Sequence, residues 1–422
     1  MKKILVVTYY WPPSGGAGVQ RWLKFSRYLP QSDWEPVILT VDPAFATYPA
    51  LDPSLEYDIP DRLKVHRVKA KDWFRLYAKD KSKVPSAGFA RNHDDSLKGR
   101  LSRFIRGNLF IPDPRRGWNR FAFREAVRII HREGINTVVT TSPPHSSQLI
   151  GLRIKKVMPE IKWIADLRDP WTDIYYYDLF YPTLIARSID RYYEKKVLKK
   201  ADILITVGHN LAETYISKNE GIREKFRIIP NGYDEEDFTR ADYRFPDRFT
   251  ITYTGTLSEA YPVDGLLDAL NRLKNNGHDF LLRFVGFVPE GIKARIMRSV
   301  GHDRTEFISY TDHKKAVKYI AESSLLLLVI PDHKKNRAIT SGKIFEYIAT
   351  LKPILYIGPA DGDAAFHLKA CGHDAIFSGK NSGEISRYIE RRMKEAEPRL
   401  NKAHPEYSRK ILALNLGRVL NE

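Results

Sequence analysis

Short apolar runs recur along this chain and alternate with longer amphipathic stretches. In the first half the runs are Lys3–Thr8, Pro36–Val41, Lys64–Val68, Thr137–Thr141, Lys162–Asp166 and Asp202–Val207. Several are apolar throughout, as expected of strands covered by helices on both faces. The second half repeats the rhythm at Thr250–Thr254, Leu281–Val285, Glu306–Ser309, Leu325–Ile330, Pro353–Ile357 and Asp374–Phe377. Strand and helix in regular alternation predict an α/β chain of two six-stranded, doubly wound domains. The first is expected over 1–207 and the second over 208–403, with the turn-rich Ile229-Pro230-Asn231-Gly232 segment in the region of the joint. A closing helix, about 404–422, is expected to cross back onto the first domain. Residues 70–110 fit no strand rhythm and read as helices and a long loop inserted at the mouth of the first sheet.

The stretch from Ser324 to Ile357 carries the most chemistry. An apolar run (Leu325 to Ile330) is followed by a polar, basic loop, then by Ser341-Gly342-Lys343-Ile344-Phe345-Glu346-Tyr347, then by a second apolar run. This is the pattern of a βαβ unit with parallel strands. On a helix starting near Ser341, Lys343, Glu346 and Tyr347 share one face, and Ile344, Phe345, Ile348 and Ala349 the other. The polar face would stand at the carboxyl ends of parallel strands, where open α/β sheets bind ligands. The backbone N–H groups at Ser341 and Gly342 suit a phosphate.

Three other loops follow strands in the same way. Trp11-Pro12-Pro13-Ser14-Gly15-Gly16-Ala17-Gly18 leads into a helix with Val19, Trp22, Leu23, Ser26 and Leu29 inward and Gln20, Arg21, Lys24 and Arg27 outward. Gly15 and Gly16 let the backbone approach a phosphate or a sugar; the bland alternative is a tight strand–helix turn. Neither the dinucleotide fingerprint nor a Walker A lysine is present. Thr254-Gly255-Thr256-Leu257 takes the equivalent place in the second half, and two such loops suggest a ligand held between domains. His145, in Thr140-Thr141-Ser142-Pro143-Pro144-His145-Ser146, stands at a strand's carboxyl end and suits a substrate hydroxyl, although a lone histidine is more often a satisfied loop residue. Asp169, in Asp166-Leu167-Arg168-Asp169-Pro170, suits orientation of an acceptor hydroxyl or a base; the competing reading is an Arg168–carboxylate pair bracing the loop.

Composition narrows the classes. Of the 422 residues, 43% are apolar and 28% charged, as in soluble globular proteins, and the length favours two domains. The single cysteine, Cys371, excludes intramolecular disulfides and thiolate zinc sites and fits a reducing compartment. Lys2-Lys3 and the apolar Ile4 to Val7 faintly resemble a signal peptide, but Trp11-Pro12-Pro13 ends the run too early. No run approaches the roughly 18 apolar residues of a membrane span. The expected location is therefore cytoplasmic, including the inner face of a membrane. The net charge of +18 is uneven: Lys and Arg crowd the stretch 62–132, interleaved with Trp73, Phe74, Tyr77, Phe104, Phe110 and Trp118. No helix-turn-helix, zinc-finger or RNP-type motif accompanies it, so nucleic acid is not expected. An anionic membrane surface fits a basic aromatic stretch; a solvated basic face is the alternative. No His/Cys/Asp cluster has metal spacing and no Gly-x-Ser-x-Gly elbow occurs.

Together these residues resemble a GT-B glycosyltransferase of family 4 over nearly the whole chain. The motifs that carry the resemblance are Ser14-Gly15-Gly16-Ala17, Ile229-Pro230-Asn231-Gly232-Tyr233-Asp234, Tyr253-Thr254-Gly255-Thr256-Leu257 and Gly342-Lys343-Ile344-Phe345-Glu346-Tyr347. It implies two Rossmann-like domains facing a central cleft, a nucleotide-diphosphate sugar donor in the C-terminal half and an acceptor in the N-terminal half. It also implies transfer with retention and no obligatory metal or other cofactor. The Glu346 match implies a carboxylate on the donor ribose hydroxyls, and Lys343 with the Ser341/Gly342 amides would face the diphosphate. Gly15, Gly16, Gly255, Thr256 and Arg337 complete the expected donor-side residues, with His145 and Asp169 the catalytic candidates.

The sequence departs from the family pattern at several positions. Ala338 stands where relatives commonly carry a glutamate eight positions before Glu346, Thr256 where an arginine is usual, and Asp264 where a lysine often follows. The arginine and lysine so replaced are the family's usual phosphate clamp; Lys334, Lys335 and Arg337 are its expected substitutes, and Lys343 fits a subgroup with Ser-x-Lys or Gly-Lys before the Glu-Tyr pair. The first-domain histidine of some relatives aligns nearer Thr141 than His145, and Arg168-Asp169 replaces a His-Asp. The expected function is glycosyl transfer to a glycan acceptor, lipid-linked, in cell-surface polysaccharide or glycolipid assembly. A non-hydrolysing sugar-nucleotide epimerase and a non-catalytic nucleotide-sugar-binding protein of the same fold are the alternatives.

Overall fold

The computed structural model describes residues 1–71, 73, 96–219, 221–238, 246–395 and 403–422. Phe74 and Tyr77 of the basic aromatic stretch, and much of the 70–110 insertion, lie outside these residues. The described residues form two compact units. One runs to Asn231 and resumes at Arg409–Glu422, and the other is Gly232–Ser408.

In the first unit, β1 (Lys2–Val7), β2 (Trp34–Val41), β3 (Lys64–Val68), β4 (Thr137–Ser142), β5 (Lys162–Leu167), β6 (Ile203–Thr206) and β7 (Phe226–Ile228) form one parallel sheet among the described residues. Its order is β3-β2-β1-β4-β5-β6-β7. The helices are α1 (Ala17–Tyr28), α2 (Leu97–Leu109), α3 (Asn119–Glu133), α4 (Gln148–Val157), α5 (Leu184–Lys200) and α6 (His209–Ile216). In the second unit, β8 (Thr250–Thr254), β9 (Leu281–Val285), β10 (Thr305–Ile308), β11 (Leu325–Val329), β12 (Ile354–Ile357) and β13 (Ile376–Phe377) pair in the order β10-β9-β8-β11-β12-β13, again all parallel. Between them run α7 (Asp264–Asn275), α8 (Glu290–Val300), α9 (His313–Ala321), α10 (Lys343–Ala349), α11 (Asp363–Ala370) and α12 (Ser382–Lys394). The chain ends with α13 (Arg409–Asn421).

Both sheets are apolar on both faces because helices cover each side. One core of the first unit joins β1, β4 and β5 to α1 and α13 through Val6, Val139, Ile164, Trp22, Leu412 and Leu416, and the other packs α3 and α4 on the opposite face. The second unit repeats this with α7, α8 and α12 on one face and α10 and α11 on the other. Helix ends follow local chemistry: Thr183 Oγ1 accepts from Ala186 N at 3.2 Å to cap α5, and Gly134, at φ 64°, ends α3 in the left-handed region.

The observed strands correct the expected layout in two places. A seventh strand, β7, extends the first sheet. It was missed because it is three residues long, half-buried, and carries Arg227 at its centre. With α6 and β7 in the first sheet, the boundary lies at Asn231–Gly232 rather than at 207/208. The return crossing lies at Ser408–Arg409 rather than 403/404, since Tyr233 bridges Ser408 and its N–H donates to Tyr407 O at 3.0 Å within the second unit.

A third correction concerns α1. Because α13 lies along it, α1 is covered on more than one side, and Arg21 and Lys24, expected outward, are 1% and 2% exposed. Their charges are met inside. Arg21 donates from Nε and Nη2 to the Asp166 carboxylate at 3.2 and 3.1 Å, and Lys24 Nζ pairs with Asp58 at 2.9 Å.

Candidate functional site

In open parallel sheets of this order, the crevice for a ligand opens where neighbouring strands send their chains to opposite faces. That point lies between β1 and β4 in the first unit and between β8 and β11 in the second. Every candidate residue lies on a loop or helix that follows one of these four strands or β5.

In the second unit, three residues converge. Gly255 follows β8 at φ 102°, which favours glycine, and a Cβ there would lie 3.0 Å from Lys343 Nζ. Lys343 opens α10, with Nζ 4.0 Å from the centroid of the Tyr253 ring. Burial brings its ammonium down to about 7, while the Glu346 carboxylate opposes that shift. Gly286, after β9 at φ 132°, faces the carbonyl of Gly255 so closely that any Cβ would collide with it. Glu346 is half-buried, and among the described residues no hydrogen bond or ion pair engages its carboxylate. The site thus presents a cation and a carboxylate beside a bare stretch of backbone.

The remaining donor-side candidates are placed differently. The Gly255 N–H is spent on Val285 O at 2.7 Å, and the Thr256 carbonyl accepts from Tyr253 Oη at 2.8 Å, so this loop offers space more than donors. Ser341 and Gly342 form the turn into α10, their carbonyls accepting from Ile344 and Phe345 N at 3.1 and 3.3 Å. Arg337 is exposed and its guanidinium pairs with Asp361 at 2.8 Å. Ala338 is buried. Tyr347, expected on the polar face, is buried instead: its hydroxyl accepts from Thr254 N at 2.9 Å and ties α10 to β8. A ring at this point of a short helix reaches the neighbouring strand more readily than solvent. Sequence reasoning missed Gly286, whose only signal was a lone glycine after a strand, and Thr340, whose Oγ1 is buried with no partner among the described residues.

In the first unit, Gly16 is exposed at φ 91° at the start of α1, whereas Gly15 is buried with its N–H donated to Ala50 O at 2.9 Å. Of the two glycines, then, Gly16 is the one open to a ligand. The loop after β4 is held from two sides. The Asp113 carboxylate accepts from Ser146 N and Oγ, both at 2.8 Å, and Asn119 Nδ2 donates to Ser146 O at 2.7 Å. His145, next to this anchor, stacks on Trp171 with ring centroids 4.9 Å apart and planes 12° from parallel. Burial, with the positive charges of Arg168 and Lys218, brings the imidazole down to about 3, so it is neutral near pH 7.

Asp169 and Trp171 sit on the loop after β5, and this loop is fixed by buried groups sequence did not reveal. Tyr215 Oη donates to Asp169 O at 2.8 Å and accepts from Trp171 N at 3.0 Å, and Trp171 Nε1 donates to Asp190 at 2.7 Å. Arg168 braces the loop through backbone carbonyls, donating to Ser142 O and Gly18 O at 3.1 Å each, and not through a carboxylate. The Asp169 carboxyl is pushed up by burial, with Arg168 pulling the other way, and no hydrogen bond to its side chain is formed among the described residues. The structure therefore brings a neutral imidazole and a half-buried carboxyl group to adjacent loops at one end of the sheet.

Arg21 links this end of the sheet to the Pro-Asn-Gly motif, donating from Nη1 to Ile229 O at 2.9 Å and Pro230 O at 2.8 Å. Among the described residues, no group of three His, Cys, Asp or Glu side chains is arranged to hold a metal ion, and no helix is long and apolar enough to cross a membrane.

Comparison with known proteins agrees with the fold. Residues 84–237 match the family described as Glycosyltransferase Family 4. No curated protein sequence matches the chain. Among solved structures, sucrose-phosphate synthase from Thermosynechococcus elongatus is 14% identical, with a TM-score of 0.57 over 100% of this chain and 95% of that one. A putative UDP-N-acetylglucosamine 2-epimerase from Listeria monocytogenes is 14% identical, with a TM-score of 0.58 over 99% and 95%. WaaG, a glycosyltransferase involved in lipopolysaccharide biosynthesis, is 13% identical, with a TM-score of 0.54 over 99% and 95%. The chain has the GT-B fold, two Rossmann-like units, and resembles the family 4 glycosyltransferases as its motifs implied.

Proposed function

We propose that this protein transfers a sugar, with retention, from a nucleotide-diphosphate donor to a lipid-linked glycan acceptor in cell-surface polysaccharide or glycolipid assembly. The observation that carries the reading is the convergence of Gly255, Lys343 and Glu346 at the β8/β11 switch point. The nucleotide ribose hydroxyls donate to the Glu346 carboxylate. The diphosphate lies against Gly255, where the absent side chain admits it, and Lys343 meets the charge that grows as the sugar–phosphate bond breaks. A phosphate beside Lys343 restores the ammonium that burial disfavours, so binding and charging reinforce each other. On the first unit, Asp169 orients the acceptor hydroxyl and the neutral His145 hydrogen-bonds the sugar or acceptor. In this reading, Lys343 serves the leaving diphosphate without a metal.

The test is a panel of nucleotide sugars and free nucleoside diphosphates followed by thermal shift and calorimetric titration, in wild type and Glu346→Ala. Donor binding raises apparent stability by mass action. Binding of one nucleotide class, weakened at least about tenfold by the substitution, is the expected result; no binding by any member refutes the reading. The likeness to an epimerase keeps one competitor in view. Conversion of a nucleotide sugar to its epimer with no acceptor present would favour it.

A further inference from the structure

Soluble helices turn their apolar stripe inward, yet two helices of the first unit carry an apolar stripe outward. On α2, Arg103 is buried against the unit, while Leu97, Leu101 and Phe104 stand exposed at i, i+4 and i+7. On α5, Ala186, Asp190, Glu194 and Val197 face inward, while Ile185, Ile189 and Tyr192 are exposed with the same spacing. The two helices are joined end to end: Asn108 Oδ1 accepts from Thr183 N at 2.8 Å, and Asn108 Nδ2 donates to Tyr181 O at 3.1 Å. The junction is apolar as well, with Leu109 and Leu184 69% and 83% exposed.

Charge decides what such a surface fits. Helix α2 has no acidic residue, and both carboxylates of α5, Asp190 and Glu194, are buried. Exposed cations flank the stripes: Lys98 and Arg100 on α2, and Arg191 and Lys195 on α5. A second copy of this chain would set these cations against one another. A sheet of anionic headgroups over hydrocarbon would instead take the side chains at the acyl boundary and the cations on phosphate.

We infer that α2 and α5 together form a docking face for an anionic lipid surface. The face serves the lipid-linked acceptor proposed above and rests on that reading for its use. Lipid binding itself needs neither donor nor acceptor, so the two can fail separately. In flotation with vesicles of phosphatidylglycerol and phosphatidylcholine, the wild-type chain should float at low salt. Binding should fall at least about tenfold on pure phosphatidylcholine or in strong salt. The double substitution Leu101→Glu with Ile185→Glu should lower it by a similar factor. Phe366→Glu, which removes an exposed apolar side chain of the second unit, should not. All changed positions are exposed, and circular dichroism and thermal melting check that folding is retained. The inference is overturned if the wild type does not float, if the double variant floats like wild type, or if light scattering shows a wild-type dimer that the double substitution dissociates. Donor titration without vesicles reports on the nucleotide site independently of these outcomes.

Discussion

Near the carboxyl end of β5, Asp166 is the acceptor on which Arg21, Trp22 and Thr141 converge, and its substitution is a demanding perturbation of the first unit's packing. Its carboxylate, fully buried, accepts from Arg21 Nε and Nη2 at 3.2 and 3.1 Å, from Trp22 Nε1 at 2.8 Å and from Thr141 Oγ1 at 2.8 Å. Asp166→Asn keeps the shape but leaves the buried Arg21 guanidinium without its counter-charge. Breaking a buried pair in this way costs about 3–5 kcal/mol. For a unit of this size each kcal/mol moves the midpoint by roughly 2–4 °C, so the first-unit transition in scanning calorimetry should fall by about 6–20 °C. The paired replacement Arg21→Met with Asp166→Leu removes both charges. It should cost less than the sum of Arg21→Met and Asp166→Leu, with a coupling of about 2–3 kcal/mol. An Asp166→Asn midpoint within about 2 °C of wild type, or strictly additive single effects, would refute the account of α1 as a helix anchored by its buried charge.

Other outcomes follow from the same geometry. With Lys343 at about 7, affinity for a nucleotide sugar should fall about tenfold between pH 6 and pH 8 as the ammonium is lost, and Lys343→Arg should flatten that profile; titration at several pH values reads both. Gly286→Ala forces a side chain onto the Gly255 carbonyl at a left-handed φ, so it should destabilise the second unit by about 1–3 kcal/mol and weaken donor binding, measured by calorimetry. His145 lies at about 3 when folded and near its ordinary value when unfolded. The unfolded chain therefore binds the extra proton between those values, and this residue's contribution to stability is present above the ordinary value and lost as pH falls through that window. His145→Gln should make the acid limb of a pH–melting curve shallower.

The fold was legible because parallel strands covered on both faces must be continuously apolar, and Leu325–Val329 or Ile354–Ile357 allow few other readings. The edges were not. A two-sided strand announces itself, whereas β7 is short and half-buried. The positions of candidate residues were legible where a loop's place in the strand rhythm fixed them, as for Gly255 and Lys343. Arg21, Asp190 and Asp113 were opaque because their partners lie at Asp166, Trp171 and Ser146, distant in sequence and joined only by tertiary packing. Long-range covering by α13 also inverted the expected sidedness of α1, which no local periodicity could register.

In the proposed transfer the sugar donor is held through Glu346 and Lys343. The most direct measurement incubates the chain with nucleotide sugars and lipid-linked glycan acceptors and follows both by mass spectrometry. The acceptor should gain one sugar as nucleoside diphosphate appears in equal amount, and Glu346→Ala should abolish both while keeping its melting temperature. Transfer at the wild-type rate by Glu346→Ala, or a donor changed only to its epimer, would contradict the proposal.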